Sequence, residues 1–358
     1  MCCPIGVAVG ELSTAGFSKM INDLIGSLAA GENLTQDQMT AAMDAVMEGH
    51  VADEQIAILL TALAVKGETA SEIAGAARSL RKHMTPIRTR HEVVVDTCGT
   101  GGVSSKLFNV STAAALVTAA AGVPVAKHGN RAVTSRTGSA DVLAALGVNI
   151  AAEIACVERC LDELGICFCF APLVHPSMKR VAEVRKRLGR PTIFNLLGPL
   201  CNPASAPFQL LGVGRAELQQ TMAKALALLG TRHSVIVAGQ DNLGEVTTAG
   251  STQAIEVLQD GTLVEHCWSA ADFGVPAAHS LDDLIVQNAQ ESAGIVRGVV
   301  AGKPGAARDI VVANAAAAIW VAGNADSLRE GALVAQQAIE SGTARKLLDL
   351  LAQLTNSK

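Results

Sequence analysis

Two segments of the chain combine glycines, hydroxyl side chains and cations between a predicted strand and a predicted helix. The first, residues 96–112, reads DTCGTGGVSSKLFNVST, and the second, residues 127–147, reads KHGNRAVTSRTGSADVLAALG. Glycine loops and helix starts present backbone N–H groups that bind phosphate oxygens. Lys127, Arg131 and Arg136 add positive charge to the second segment. Because the two loops are predicted to face one another across adjacent strand ends, together they suit a polyanion much larger than one phosphate.

The first segment carries no standard nucleotide-binding motif. Gly99–Gly101 is followed by Ser104 where the dinucleotide fingerprint needs a glycine, and the P-loop ending GK[ST] is absent. Asn109, Ser111 and Thr112 place polar side chains at the predicted helix start, where backbone N–H groups lack partners within the helix. Taken alone, the first segment is also compatible with an ordinary capped glycine turn, and the second with a solvated basic loop.

A third segment, residues 175–204, reads HPSMKRVAEVRKRLGRPTIFNLLGPLCNPA. Its first part predicts a helix over His175–Leu188, with apolar residues repeating at helical spacing. Lys179 and Arg185 cannot share the apolar face, so the residues by themselves favour a basic surface helix. The glycine- and proline-rich stretch Gly198–Pro203 predicts a tight turn.

An α/β pattern that follows a helical N-terminal part must position these segments. From about residue 17 to 85 the pattern predicts three or four short helices, with an apolar stripe in Ile56–Leu63 and capping boxes at Thr35–Gln38 and Thr69–Glu72. Strands are predicted at Glu92–Asp96, Val123–Ala126, Ile166–Phe170 and Ser234–Ala238, and further helices at Ala140–Leu146, Asn314–Val321 and Gly331–Leu354. The fold class is therefore α/β with a mostly parallel sheet, which places sites at the C-terminal strand ends. The helical layer has more apolar surface than one small bundle needs, so we expect it to pack on another segment or a second subunit.

The composition indicates a globular chain. Its 358 residues are 49% hydrophobic and 17% charged, which excludes disorder, and the net charge of −5 argues against a nucleic-acid surface built on bulk positive charge. No apolar run reaches the roughly 18–20 residues of a membrane span, and the N-terminus lacks the basic start of a secretory signal. Nine cysteines without paired CxxC spacing favour reduced cytoplasmic thiols over disulfides or a zinc site. Cys167 and Cys169 are predicted to share one face of a strand.

Together the three segments resemble the anthranilate phosphoribosyltransferase family. That family carries a GTGGD-type loop with an N-[IV]-S-T helix start, a KHGNR-x-[VI]-[ST]-S loop and an HP-x-MK…VR…LG…T-[IV]-FN-x-LGPL-x-NPA stretch. The corresponding residues here are Gly99–Gly102 with Asn109–Thr112, Lys127–Ser135 and His175–Ala204. The resemblance runs from about residue 18 to the C-terminus in matching order and spacing.

The resemblance implies a nucleoside phosphorylase/phosphoribosyltransferase-like fold with a cleft between two domains. A small helical domain would comprise 17–88, joined by part of 176–202, and a larger α/β phosphoribosyltransferase domain would comprise 89–358. The implied reaction uses Mg²⁺ and transfers phosphoribose from 5-phosphoribosyl diphosphate (PRPP) to the amino group of anthranilate. Its products are N-(5-phosphoribosyl)anthranilate and pyrophosphate, in the second step of tryptophan biosynthesis. We expect a cytoplasmic homodimer joined through the helical domain, with no nucleic-acid or membrane partner.

The resemblance also assigns roles to individual residues. Those that match PRPP contacts are Gly99, Gly102, Val103, Leu107, Asn109, Val110, Ser111, Thr112, Lys127, Ser135 and Ser139. Those that match anthranilate contacts are Gly99, His128, Asn130 and Arg185, whose guanidinium can bind both oxygens of a carboxylate. Those that match metal positions are Ser111 and Glu245, together with Gly244, which has lost the family's aspartate ligand. No catalytic acid or base is assigned, because the aromatic amine of anthranilate is already neutral at neutral pH.

The chain departs from the family pattern in three segments of one cluster. Val103 replaces an aspartate, Leu107 replaces a threonine, and residues 241–245 read DNLGE where the family has DGLDE. Losing a hard oxygen ligand should weaken the second Mg²⁺ site, although Asp241 could substitute directly or through water. Two alternatives therefore remain open. One is a catalytically weak PRPP-binding paralogue; the other is a related phosphorylase, since Thr100–Lys106 is similar to the TGGV-x-x-K phosphate loop of pyrimidine nucleoside phosphorylases.

Overall fold

The computed structural model describes residues 13–101, 106–132, 136–240 and 242–357. These residues form two compact units: 13–84 with His175–Leu197, and Thr85–Val174 with 198–357. Among the residues described, no helix is both long and apolar enough to cross a lipid bilayer.

The secondary structure is helical in the first unit and mixed in the second. The helices are α1 (Thr14–Ala29), α2 (Gln36–Glu48), α3 (Asp53–Lys66), α4 (Ala70–Lys82), α5 (Val110–Ala120), α6 (Ser139–Ala145), α7 (Ile154–Leu164), α8 (Ala171–Val174), α9 (Lys179–Leu188), α10 (Phe194–Leu197), α11 (Gln219–Leu228), α12 (Ala289–Val300), α13 (Ala306–Val321), α14 (Leu328–Glu340) and α15 (Thr343–Asn356). The strands are β1 (Val95–Gly99), β2 (Val125–Gly129), β3 (Ile166–Phe170), β4 (Phe208–Gly212), β5 (His233–Gly239), β6 (Thr252–Leu258) and β7 (Leu263–Trp268). Helices α1–α4, α9 and α10 belong to the first unit, and all other elements belong to the second.

The helices predicted at the start of the chain are confirmed as α1–α4. Thr35 and Gln38 form the predicted capping box at the start of α2, and Thr69 and Glu72 form the one at α4. The predicted apolar stripe of α3 is buried at Ile56, Leu59, Leu60 and Leu63. Local signals of cap chemistry and helical spacing are therefore sufficient to locate these helices.

A buried carboxylate ties α2 to α4. Asp44 accepts hydrogen bonds from Ser79 Oγ at 2.6 Å, Lys82 Nζ at 2.9 Å and His83 Nε2 at 3.0 Å. Burial acts to raise the pKa of Asp44, but the donors from Ser79, Lys82 and His83 outweigh it and leave the pKa below its ordinary value. A carboxyl group with a lowered folded-state pKa stabilises the fold above its unfolded-state pKa and loses that contribution as the pH falls.

Replacing Asp44 by asparagine is expected to lower the free energy of unfolding at neutral pH by about 1–3 kcal/mol. The deficit should shrink as the pH falls towards about 3, because the wild-type carboxylate then loses its charge as well. Denaturant unfolding of the wild type and of Asp44→Asn, from neutral pH down to about 3, measures this difference in the free energy of unfolding. Asp37→Asn is the control, since Asp37 lies on the same helix but pairs with Arg78 in solvent. Equal losses in the two variants would contradict the prediction.

The second unit is built around a seven-stranded sheet, and the sheet is mostly parallel, as predicted. The strand order is β3-β2-β1-β4-β5-β6-β7, with parallel pairing from β3 to β5 and antiparallel pairing of β6 and β7. The alanine-rich helices α5 and α13 are almost wholly buried and pack against each other beside the sheet. Cys167 and Cys169 share a face of β3, as predicted, with their sulfur atoms 3.7 Å apart. The C-terminal ends of β1 and β2 are neighbours, so the loops that follow them start side by side.

Several predicted element boundaries are wrong. The first strand was predicted at Glu92–Asp96, but β1 begins at Val95, where its partner β4 begins opposite it, and runs on into Gly99. The predicted strand Val123–Ala126 is similarly displaced, because β2 runs from Val125 to Gly129 in register with β3. Buried valines indicate the core but do not fix which residues pair.

Three predicted helices also differ from those observed. The helix predicted over His175–Leu188 begins only at Lys179, because Pro176 lacks an N–H and starts a single 3₁₀ turn. The helix predicted over Gly331–Leu354 is divided into α14 and α15 by Gly342, which has a left-handed φ of 76°. The helix predicted at Asn314 begins at Ala306.

Candidate active site

Lys127 is a buried cation of the second unit. It lies on β2 with only 3% of its surface exposed. Its Nζ donates to the carbonyl oxygen of Thr97 on β1 at 2.5 Å and to Ser111 Oγ on α5 at 3.2 Å. Burial lowers the pKa of Lys127, while the nearby Asp96 and Glu245 act in the opposite direction. The lysine therefore links two strands and a helix start through one positive charge.

Glu245 lies beside this lysine in the loop after β5. Burial raises the pKa of the Glu245 carboxyl to about 7, even though the charge of Lys127 and a hydrogen bond from the backbone N–H of Ser111 both act to lower it. Ser111 lies in the first turn of α5, where N–H groups have no partner within the helix. The structure thus brings together Ser111, Lys127 and Glu245, which are far apart in the sequence.

The oxygen donors of this cluster fit a hard divalent cation that brings most of its own ligands. Among the described residues, the cluster contains one carboxylate, from Glu245, and one hydroxyl, from Ser111. No group of three or more His, Cys, Asp or Glu side chains within the described ranges could hold a metal ion. Mg²⁺ is commonly bound through one or two carboxylates plus waters and substrate phosphates, so the donor set suits Mg²⁺ carried by a diphosphate.

The glycine loop after β1 leads into α5 through a set of polar contacts. Thr112 Oγ1 donates to Asn109 Oδ1 at 2.6 Å, and the backbone N–H of Asn109 donates to Ser292 Oγ at 2.9 Å. Val110 is the first residue of α5 and is buried. Leu107 forms an isolated antiparallel bridge with Ile285. These contacts fix the start of α5.

Close backbone packing marks the two strand ends next to this loop. Gly99 on β1 is in register with Gly212 on β4, and Thr100 N donates to the Gly212 carbonyl oxygen at 3.0 Å. A Cβ atom at position 212 would overlap the carbonyl oxygen of Gly244. Gly244, at the position of the lost carboxylate, is therefore a neighbour of the β4 end through its backbone.

Polar contacts hold the end of β2 and the loop that follows it. The backbone N–H of His128 donates to Asp96 Oδ1 at 3.2 Å, and His128 Nδ1 donates to the carbonyl oxygen of Gly198 at 2.9 Å. Asn130 Oδ1 accepts from the following backbone N–H at 2.8 Å. Ser139 starts α6 and packs so closely on Gly129 that a Cβ there would overlap its hydroxyl oxygen.

Four residues that bear on the site prediction lie outside the described residues. They are Gly102, Val103, Ser135 and Asp241. The first two belong to the glycine loop, the third to the second loop, and Asp241 was the suggested substitute ligand.

Arg185 belongs to the first unit, on α9. Its guanidinium carbon lies 5.3 Å from the centre of the Phe194 ring, and burial lowers the pKa of the group. None of the carboxylates in the described ranges forms an ion pair with Arg185, whereas Arg187 on the same helix pairs with Asp53 at 2.6 Å. A partly buried guanidinium without an internal carboxylate suits an external one.

Two buried polar residues of this region were not singled out from the sequence. Asp96, fully buried, ends the predicted first strand; burial raises its pKa, while Asn202, Lys127 and the N–H of His128 act to lower it. Asn314, on α13, hydrogen-bonds both polar backbone groups of Val246, next to Glu245. An acidic residue closing an apolar strand was a visible signal for Asp96. An asparagine within an alanine-rich helix was only a weak signal for Asn314.

Comparison with known proteins places this geometry in a family. Residues 91–345 match the family model described as glycosyl transferase family, a/b domain, and residues 22–84 match the one described as glycosyl transferase family, helical bundle domain. The chain is 48% identical over 336 residues to an anthranilate phosphoribosyltransferase of Rhodopirellula baltica, covering 94% of this chain and 98% of that protein. It is 46% identical over 332 residues to one of Moorella thermoacetica, covering 93% and 97%.

Solved structures agree with these relatives. The anthranilate phosphoribosyltransferase of Thermus thermophilus superposes with a TM-score of 0.87 at 39% identity, covering 94% of this chain and all of that one. The Saccharomyces cerevisiae enzyme in complex with PRPP and Mg gives a TM-score of 0.86 at 28% identity, covering 95% and 99%. With the same two-part architecture and near-complete coverage of its relatives, the chain belongs to the anthranilate phosphoribosyltransferase family.

Proposed function

We propose that this protein transfers phosphoribose from PRPP to the amino group of anthranilate and releases pyrophosphate, the second step of tryptophan biosynthesis. The observation that carries the proposal is the cluster of Ser111, Lys127 and Glu245 at the strand ends beneath the start of α5. It offers the positive end of a helix dipole, a buried cation and hard oxygen donors to one polyanionic substrate. Family membership supplies the reaction, and the cluster supplies the means to hold the substrate.

The PRPP site that we propose comprises the residues around both strand ends. They are Gly99, Gly102, Val103, Leu107, Asn109, Val110, Ser111, Thr112, Lys127, Ser135 and Ser139. In support, Lys127 contacts both β1 and α5. Asn109 is held at its backbone N–H by Ser292 and at its side-chain oxygen by Thr112. A diphosphate placed there would meet the positive N-terminal end of the α5 dipole together with the lysine charge.

We propose Mg²⁺ as the cofactor, held by Ser111 and Glu245 together with the diphosphate of PRPP. The yeast relative has been solved in complex with PRPP and Mg, and the oxygen donors of this chain fit such an arrangement. When bound, Mg²⁺ neutralises charge on the departing pyrophosphate. Because Glu245 binds a cation only when ionised, its raised pKa makes metal binding weaken in mildly acid solution.

In this reaction the protein positions the substrates and stabilises charge, and proton transfer by a side chain is less important. The amine nitrogen forms a bond to the anomeric carbon while the bond from that carbon to the pyrophosphate oxygen breaks, and the amine then releases a proton. Lys127 and the positive N-terminal end of the α5 dipole stabilise the negative charge that grows on the leaving oxygen. Since the amine is neutral, no strongly basic side chain is required.

The acceptor site that we propose uses Gly99, His128, Asn130 and Arg185. In support, Arg185 has no carboxylate partner among the described residues and its charge is partly desolvated. Its planar guanidinium can bind both oxygens of the anthranilate carboxylate. His128 is fixed through Nδ1 by the carbonyl oxygen of Gly198.

Restoring the lost carboxylate is expected to lower the Mg²⁺ concentration that gives half-maximal rate by about tenfold, because an added ligand raises metal affinity. The variant is Gly244→Asp, alone and with Val103→Asp. Initial rates measured against Mg²⁺ at fixed PRPP give the value. Asn242→Asp is the control, since it adds the same charge at an exposed position of the same loop. An unchanged Mg²⁺ titration in Gly244→Asp would contradict the metal-site account.

Product identification tests the proposed function against its two alternatives. Purified protein is incubated with PRPP, Mg²⁺ and anthranilate, and separately with thymidine and inorganic phosphate, and products are identified by mass spectrometry. We expect N-(5-phosphoribosyl)anthranilate in the first reaction and no free base in the second. The replacement of a carboxylate by Gly244 favours the weak paralogue as the second candidate. PRPP binding without product would support that candidate, and phosphorolysis of thymidine would support the phosphorylase.

We further propose that 17–88, joined by part of 176–202, and 89–358 are the two domains, and that two copies of the chain associate through the helical one. An open apolar groove of about 660 Å³ lies between α1 and α3, lined by Ile25, Leu28, Ala57, Ile58, Ala62 and Val65. Ile58 and Val65 are 52% and 73% exposed. A contiguous exposed apolar patch of this kind is typical of an association surface.

The seven described cysteines are free thiols, which suits a cytoplasmic location.

Sedimentation analysis of Val65→Asp tests the association. The charge would be buried without a partner in a dimer, so the variant should sediment as a monomer where the wild type sediments as a dimer. Leu333→Asp is the control, since Leu333 is comparably exposed at 62% but lies in the other unit. A monomeric wild type, or a dimeric Val65→Asp, would refute this surface.

A further inference from the structure

Asn314 forms an unusual pair of hydrogen bonds with Val246, in the loop of residues 242–249 that carries Glu245. It lies within α13 and is fully buried. Its Oδ1 accepts from the backbone N–H of Val246 at 2.9 Å, and its Nδ2 donates to the carbonyl oxygen of the same residue at 2.9 Å. The side chain therefore satisfies both backbone groups of Val246, as a neighbouring strand would.

The loop that carries Glu245 depends on such side-chain contacts. Residues 242–249 belong to no helix or strand. Backbone hydrogen bonds hold the loop at Leu243, whose carbonyl oxygen accepts from Gly239 N at 2.7 Å, and at Thr248, whose carbonyl oxygen accepts from Ala278 N at 2.9 Å, so Glu245 lies between them. On one side of Glu245, the carbonyl oxygen of Gly244 packs against Gly212. On the other side stand the two bonds from Asn314 to Val246, followed by a hydrogen bond from Thr247 N to Thr252 Oγ1 at 3.0 Å. Glu245 thus lies between two fixed peptide units.

The third hydrogen bond of Asn314 stays within its own helix. Nδ2 also donates to the carbonyl oxygen of Ile310 at 2.8 Å, one turn earlier in the same helix. A local bond of that kind satisfies the side chain but positions nothing outside α13. Of the three Asn314 bonds, the pair to Val246 connects α13 to the loop that carries Glu245.

We propose that Asn314 is a positioning residue that fixes the Glu245 carboxylate for the Mg²⁺–diphosphate, a role that rests on the function proposed above. Freed from Asn314, the Val246 peptide can rotate, and the preceding carboxylate moves with it. A ligand that must be ordered at the moment of binding holds its cation more weakly than one already in place. The expected signature is a defect in Mg²⁺ and PRPP, with the affinity for anthranilate preserved.

Two variants separate this role from a general loss of stability. Asn314→Ala removes all three bonds. Asn314→Ser is milder, because a serine hydroxyl can still donate to the Ile310 carbonyl one turn back but is too short to form the pair with Val246. The matched control is Gln219→Ala, another buried amide of the same unit. Its Nε2 donates to the carbonyl oxygens of Ile236 at 3.0 Å and Gln253 at 2.8 Å, away from Glu245.

In both Asn314 variants, the Mg²⁺ concentration for half-maximal rate is expected to rise about tenfold, with the KM for anthranilate unchanged. Calorimetric titration of each variant with PRPP in the presence of Mg²⁺ should show a matching loss of affinity for PRPP. Amide hydrogen exchange should accelerate in the peptide covering 242–249. Gln219→Ala should lose stability without any of these changes. Asn314 variants that match Gln219→Ala in Mg²⁺ dependence and in exchange would overturn the proposal.

The proposed function can fail separately from this inference. If the wild-type protein transfers no phosphoribose, the function is wrong, and the role of Asn314 is judged by the Mg²⁺ dependence of PRPP binding and by hydrogen exchange. Weaker Mg²⁺-dependent binding with faster exchange in 242–249 would support it. Binding and exchange equal to those of wild type would refute it.

Discussion

Replacing Lys127 by methionine is expected to lower kcat/KM for PRPP by about 10³-fold, because a preorganised positive charge is lost where the pyrophosphate develops its own charge. Lys127 is almost fully buried between β1 and α5, so water cannot take its place. Methionine keeps a long apolar stem and removes only the ammonium group. Steady-state rates with varied PRPP measure the effect, and the thermal unfolding transition reports whether the variant is folded.

Lys106→Met is the matched control for Lys127→Met. Lys106 is exposed, and it is the lysine of the segment that is similar to the phosphate loop of pyrimidine nucleoside phosphorylases. We expect this control to retain its rate within about threefold, since exposed charges are screened by solvent. A large loss from Lys106→Met with little loss from Lys127→Met would reverse the assignment and favour the phosphorylase.

Replacing Gly212 by alanine is expected to lower the free energy of unfolding by about 1–3 kcal/mol and to impair Mg²⁺-dependent turnover strongly. The added methyl group would overlap the carbonyl oxygen of Gly244, and backbone atoms of a packed loop cannot move aside as a flexible side chain can. The loop must shift, and Glu245 shifts with it. Denaturant unfolding and the Mg²⁺ titration of the rate measure the two effects.

Gly250→Ala is the control for Gly212→Ala, because Gly250 lies in the connection between β5 and β6 that also carries Gly244. Its added Cβ would lie 3.4 Å from Gln240 Oε1, which is an ordinary contact with the end of a flexible side chain. The control should therefore keep both stability and Mg²⁺ dependence. A Gly212→Ala protein as stable and as active as Gly250→Ala would show that the close approach of Gly244 is unimportant.

The parts of the fold that local chemistry determines were predictable from the sequence. The capping boxes at Thr35 and Thr69 and the strand Ile166–Phe170 were found where they were predicted. The errors lie where long-range pairing or a single residue decides. The register of β1 against β4 displaced the first strand, and the left-handed Gly342 ended one helix and began another.

The same division applies to the candidate site. Lys127 and Ser111 could be connected from the sequence, because each follows or lies within a predicted strand–loop–helix unit and parallel strand ends meet. The contribution of Asp96 and the bonds of Asn314 could not, since they depend on side chains buried by distant elements. The close contact between Gly212 and Gly244 likewise appears only when β4 and the loop after β5 are folded together.

The loss of anthranilate fluorescence in the presence of PRPP, followed while Mg²⁺ is titrated from micromolar to millimolar concentrations, tests the central claim most directly. The account predicts saturable turnover that disappears when Mg²⁺ is removed by a chelator. It also predicts that Gly244→Asp reaches half-maximal rate at less Mg²⁺ than the wild type. No turnover at any Mg²⁺ concentration, with PRPP binding still detectable by calorimetry, would contradict the account.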